Sequence, residues 1–168
     1  VGVGTVFLTG RECPWRCVMC DLWQHTTERD TPGGAIAVQV ANARQILDRS
    51  SRPVSQIKLY NAGSFFDPRA VPDDDYDGVA VAVAGLSRVI VESHPALVGD
   101  RTRRFLEALH RHQAADVVPI LEVAIGLETV HPEALERLNK KMTTGDFLLA
   151  ASRLRSLGVA LRVFLLVS

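Results

Sequence analysis

Five short apolar runs, separated by segments with helical periodicity, leave this chain few ways to fold. The runs cover residues 3–8, 55–60, 88–91, 117–125 and 159–167. After the first of them Ile36, Val40, Ala43 and Leu47 recur at i, i+4, i+7 and i+11, one stripe of a helix. Further helices are expected over about 78–85, over 100–112 with Phe105, Leu106 and Leu109 inward, from Pro132, and over 146–157 with Gly158 stopping the last. Strands that alternate with helices through connections this long cross over and pair in parallel. The runs are mostly apolar, as strands are when both faces of a sheet are covered. No G-x-G-x-x-G follows the first run, which disfavours a dinucleotide-binding fold. An α/β architecture remains, a partial (β/α) TIM-like barrel in which functional groups gather where the strands end.

With 168 residues, 47% of them apolar, the chain holds enough material for one sizeable core. Nineteen basic and nineteen acidic side chains cancel, so no global charge draws it to nucleic acid or membrane. No apolar run approaches the ~20 residues of a spanning helix, and no signal-peptide pattern opens the sequence. Reduced cysteines without an export signal point to the cytoplasm. The chain starts at Val1 within an apolar run and stops at Ser168 as the last run finishes. That suggests a single core domain over 1–168 cut from a longer protein.

All three cysteines sit in one stretch, Cys13-Pro14-Trp15-Arg16-Cys17-Val18-Met19-Cys20, directly after the first strand. An odd count in so crowded a loop argues against a disulfide framework. Three thiolates on one loop can instead close on a metal centre. Structural zinc usually takes four protein ligands, so a zinc site here needs His25 or a partner chain to complete it. A 4Fe–4S cluster is held by thiolates, and three of them leave one iron open to a small molecule. Both readings stand on the residues alone, as does a non-catalytic metal-binding α/β module. Trp15 and Trp23 flank the cysteines and are expected to shield them.

Later strand ends carry the other candidates. The second ends in Asn61-Ala62-Gly63-Ser64, where Gly63 permits close backbone approach. Glu92 and Glu128 end the third and fourth runs, at a depth where a carboxylate needs a partner. Each is a natural acceptor for the two hydroxyls of a ribose, or else a structural pair within the barrel mouth. Glu122 falls nearer the start of its strand, on the stability face. Arg162 is expected to turn into the barrel and meet a carboxylate. His94 and His131 lie at the active end, while His110 and His112 belong to a helix surface. The run Asp73-Asp74-Asp75-Tyr76-Asp77 reads as a solvated face ahead of a helix N-terminus rather than a cation site.

The cysteine spacing and its place after a first strand resemble the signature of the radical S-adenosylmethionine (radical SAM) superfamily. Asn61-Ala62-Gly63-Ser64-Phe65-Phe66-Asp67-Pro68-Arg69 and Val91-Glu92-Ser93-His94-Pro95 resemble one branch of it. So do Val123-Ala124-Ile125-Gly126-Leu127-Glu128-Thr129 and Leu138-Asn139-Lys140-Lys141. That branch contains the Elongator catalytic subunit and the archaeosine-forming enzymes. The resemblance implies an open six-stranded barrel, of which this chain would hold about the first five strands. It implies that Cys13, Cys17 and Cys20 ligate a 4Fe–4S cluster whose open iron chelates S-adenosylmethionine. The reduced cluster would split that cofactor to methionine and a 5′-deoxyadenosyl radical. It also implies that Asn61, Ala62, Gly63 and Ser64 stand where the family's Gly-Gly-Glu motif meets the methionine amino group, with Glu92 and Glu128 as further cofactor contacts. A flavodoxin- or ferredoxin-like electron donor follows from the same likeness, as does RNA, tRNA above all, as substrate. Met19 replaces the usual aromatic before the third cysteine, and the archaeosine enzymes have more residues between their cysteines. No residue is identified as a general base or radical relay.

Overall fold

In the computed structural model, which describes residues 2–167, each apolar run is a strand and each periodic stretch a helix. In chain order these are β1 (Gly2–Leu8), α1 (Ala35–Asp48), β2 (Val54–Asn61), α2 (Asp75–Val83), β3 (Arg88–Glu92), α3 (Asp100–Arg111), β4 (Ile120–Glu128), α4 (Pro132–Arg137), α5 (Thr144–Ser156) and β5 (Ala160–Leu165). Single 3-10 turns lie at Leu22–His25 and Pro95–Leu97. The strands pair in parallel in the order β1-β2-β3-β4-β5. Every connection is a crossover, so all five C-terminal ends emerge along one rim. Val1 and Ser168, at which the sequence starts and stops, lie outside the described residues.

Alternation along the strands sorts side chains between two environments. One face packs on the helices: Ile57, Leu59, Val89, Val91, Val123 and Ile125 are buried there with Phe65, Phe66 and Phe105. The other face lines the inside of the curl and is unusually polar for a parallel sheet. Glu122 of β4 pairs with both Arg88 of β3 and Arg162 of β5. The expectation that Arg162 meets a carboxylate inside the barrel is met, and Glu122 is held well below the rim. Burial raises the Tyr60 hydroxyl on the same face of β2, with Glu92 adding to the rise and Arg162 opposing it.

Two sequence expectations are corrected. The fourth strand begins at Ile120 rather than 117, because Pro119 has no N–H to give the ladder and residues 114–117 make a turn instead. It runs on through Glu128, so Gly126 and Glu128 belong to the strand itself. The second helix begins at Asp75 rather than 78, and the acidic run is not simply solvated. Asp73 pairs with Arg101 and Arg104, and Asp77 with Arg111 and His112. Asp75 is fully buried and accepts from the Gly34, Ile36 and Ala37 N–H groups at 2.5, 2.7 and 3.0 Å. Helix α1 has no side-chain cap of its own, so a residue of α2 supplies it. One turn on, Gly78 lets the helices touch: a Cβ there would stand 2.6 Å from the Ala37 Cβ. His110 is exposed and His112 bonds to Asp77, both on the outer surface as expected.

Candidate functional site

The first strand releases the chain at Leu8, and residues 13–20 fold back over the rim. Cys13, Cys17 and Cys20 all line one cavity there. Asn61, Ala62, Gly63 and Ser64 after β2, Glu92 at the end of β3 and Glu128 at the end of β4 line the same cavity. The strand-end candidates Asn61 to Ser64, Glu92, His94 and Glu128 therefore meet one another, and His131 does not join them. All three cysteines are free and partly buried. Burial raises the Cys13 thiol, with the Trp15 backbone opposing and the two other cysteines adding to the rise. Burial raises Cys17 as well, Lys140 opposing and Cys20 and Glu128 adding to it. Among the described residues no three Cys, His, Asp or Glu side chains converge on a point that would hold a single metal ion.

The turn after β2 is built for close approach. The Gly63 N–H donates to the Asn61 carbonyl at 2.7 Å, and a Cβ on Gly63 would lie 3.6 Å from that of Cys13. Asn61 is 5% exposed, yet neither its Oδ1 nor its Nδ2 has a hydrogen-bond partner among the described residues. Such an amide costs about 1–3 kcal/mol when left unsatisfied, so its place in the cavity wall suits a polar ligand. Ser64 Oγ accepts from the His94 N–H at 2.7 Å and ties this turn to the end of β3.

The two glutamates differ. Burial pushes Glu92 up to about 7, Lys140 opposing and Glu128 reinforcing the shift. Glu128 sits at φ 65°, in the left-handed region, beside a register shift in the ladder between Gly126 and Glu128. Its carboxylate folds back to accept from Lys140 Nζ at 3.2 Å. Gly126 makes room for that pair: a Cβ there would lie 2.5 Å from Glu128 Oε1 and 2.9 Å from Lys140 Nζ.

Lys140 is the residue that sequence reasoning missed. It is 9% exposed and reaches the cavity from the loop between α4 and α5, twelve residues beyond Glu128. A buried lysine next to two rim glutamates could have been suspected from Asn139-Lys140-Lys141, but nothing in that tripeptide says which lysine turns inward. The same loop holds the cysteine segment. Asn139 Nδ2 donates to the Trp15 and Arg16 carbonyls at 3.0 Å each, and the Val18 N–H donates to the Leu138 carbonyl at 3.1 Å.

Trp15 lines the cavity with the cysteines and is stacked on the His94 ring at 4.0 Å and 8°. His94 Nδ1 accepts from the Ala96 N–H, which leaves Nε2 to donate to the Lys140 carbonyl at 3.0 Å. Met19, which stands in for the usual aromatic before the third cysteine, lines the cavity as well. Trp23 does not line it. It is 45% exposed and takes the Arg16 guanidinium over its ring. His25 ends an exposed 3-10 turn, and His131 is the exposed residue before α4, so neither faces the cavity.

No family model matches the chain. It is 23% identical over 171 residues to the archaeosine synthase subunit beta of Methanosarcina acetivorans, covering 96% of this chain and 47% of that protein. Among solved structures it superposes on Elp3 of the archaeon Methanocaldococcus infernus with a TM-score of 0.58 and 14% identity, over 98% of this chain and 38% of that one. It superposes on the cobalamin-dependent S-adenosylmethionine radical enzyme OxsB, with aqua-cobalamin and S-adenosylmethionine bound, with a TM-score of 0.61 and 17% identity. There the match covers 97% of this chain and 24% of that one. The chain thus spans about half the length of the curated relative, and less of the solved structures. No helix of the described residues is long and apolar enough to cross a membrane. In its partial barrel this chain resembles Elp3 and an S-adenosylmethionine radical enzyme, and in sequence, at 23% identity along nearly its whole length, an archaeosine synthase subunit.

Proposed function

We propose that residues 1–168 form the core of a radical SAM enzyme. Cys13, Cys17 and Cys20 would hold a 4Fe–4S cluster, and the cavity beside them would take S-adenosylmethionine. One observation carries this reading: three thiols, the Asn61–Ser64 turn, Glu92 and Glu128 line a single cavity on the rim of a parallel barrel. The donor chemistry fits. Around one zinc ion, with Zn–S near 2.3 Å, sulfurs stand about 3.8 Å apart, whereas a cube takes each thiolate on a separate iron. Three thiols lining one cavity supply that donor set.

When bound, the cluster would supply the electron that cleaves the sulfonium and releases the 5′-deoxyadenosyl radical. The chain's own residues position and protect. Backbone at Ala62 and Gly63 would meet the cofactor's amino group, with the unpaired amide of Asn61 beside it. Glu92 and Glu128 would accept from the ribose hydroxyls, and Lys140 balances their charge. Trp15 and Met19 would keep water from the reacting atoms. A flavodoxin- or ferredoxin-like donor would supply the electron, in the reducing cytoplasm. RNA as substrate is drawn by analogy with the archaeosine synthase relative.

Anaerobic reconstitution with iron and sulfide, followed by EPR of the reduced protein, tests this directly. A 4Fe–4S signal that shifts on adding S-adenosylmethionine supports the reading. Tightly held zinc and no cluster would overturn it in favour of a structural metal module.

A further inference from the structure

The geometry points to Asn139 as the positioning residue that fastens the cysteine loop in its ligating shape before any cluster arrives. This rests on the reading of Cys13, Cys17 and Cys20 as cluster ligands. Asn139 is remote in sequence from the cysteines and does not line their cavity. Its side-chain amide nevertheless donates to two successive carbonyls, Trp15 and Arg16, inside the segment between the first and second cysteines. A third bond, from the Val18 N–H to the Leu138 carbonyl, grips the segment between the second and third. Arg16 has a positive φ of 39°, so the loop is held in a backbone shape that a non-glycine residue leaves readily unless constrained.

The fastener is itself shaped for the task. Asn139 has φ 56°, a region asparagine tolerates better than most residues. Its own N–H is satisfied by the Glu136 carbonyl at 2.9 Å, which leaves the side chain to the loop. The neighbouring Lys140 carbonyl accepts from His94, whose ring carries Trp15. The segment therefore holds the loop by side chain, by backbone and through a stacked ring. Holding a flexible loop in its bound form lowers the ordering cost that ligand capture would otherwise meet.

The test uses the whole 168-residue chain as wild type, Asn139→Gly and Asn139→Asp. Glycine keeps the left-handed backbone and removes the donor; aspartate keeps the shape and removes the amide hydrogens. Lys141→Gly is the control, since it relieves an equally positive φ of 52° without touching the loop. The first readout is the rate at which an aromatic disulfide reagent modifies the thiols of the anaerobic apo-protein. The second is the rate at which a chelator strips iron from the reconstituted protein. Both rates should rise about tenfold in Asn139→Gly and Asn139→Asp, equivalent to about 1.4 kcal/mol, with Lys141→Gly unchanged and melting curves alike. Equal thiol rates in wild type and both Asn139 variants would overturn the proposal. So would faster thiol modification with unaltered iron loss. If wild type takes up no cluster, the functional reading fails, and the apo-protein rates still decide whether Asn139 fastens the loop.

Discussion

Replacing Asp75 tests how the fold is held together away from the cavity. Its carboxylate is fully buried and receives three N–H groups from the first turn of α1, one of them on the fully buried Ile36. In Asp75→Ala those donors lose their acceptor where water cannot readily replace it. A hydrogen bond to a charged group contributes about 1.5–3 kcal/mol, but the three share one carboxylate and do not add fully. A total loss of about 3–5 kcal/mol follows, a large part of a domain's usual ~5–15 kcal/mol. At a urea m-value of about 2 kcal/mol/M the midpoint should fall by about 2 M. Asp75→Asn keeps one acceptor oxygen and should lose about half as much. Hydrogen exchange should quicken at Ile36 and Ala37 before it does in β3. A midpoint for Asp75→Ala within about 0.5 M of wild type, with exchange at Ile36 unchanged, would refute the capping argument.

Three further outcomes follow from the rim. Asn61→Leu should raise apo-protein stability by about 1 kcal/mol, because it removes two unsatisfied buried polar atoms, while equilibrium dialysis shows S-adenosylmethionine binding lost. Burial holds Glu92 at about 7 against an ordinary 4.5, so between those values the folded chain keeps a proton that the unfolded chain has released. Stability should therefore fall as pH rises from about 4.5 to 7, by at most about 3 kcal/mol, and Glu92→Gln should flatten that slope in urea titrations. Gly126→Ala forces aside the tips of two flexible side chains rather than backbone. Its melting temperature should stay close to wild type while cofactor affinity, measured by calorimetry, drops at least tenfold.

The barrel was legible because apolar period and crossover length both survive in one sequence. Asn61, Gly63, Glu92 and Glu128 were legible because topology alone brings strand ends together. Asp75 was not, since its acidic neighbours give a local signal of solvation. Its true partners lie 38 to 41 residues upstream, and only helix packing brings them near. The start of β4 was misread because two valines extend the apolar run through Pro119, and hydropathy does not register a missing N–H. Lys140 and Asn139 lie in a loop without periodicity, where nothing local marks which side chain turns toward the cavity. His25 and Trp23 were drawn in by closeness to the cysteines, but the 3-10 turn at Leu22–His25 carries both away.

The bonds from Asn139 to the cysteine loop span 123 and 124 residues. During synthesis at roughly 5–20 residues per second, the thiols are made about 6–25 seconds before the residue that fastens them. Until then the nascent chain offers three cysteines without Lys140 and without the amide that ties the Trp15 and Arg16 carbonyls in place. An iron–sulfur carrier that met the chain in that interval would find ligands without a frame. If Cys13, Cys17 and Cys20 hold a cluster as proposed, productive loading would follow translation of the α4–α5 loop, and the order of residues along the chain would set that timing.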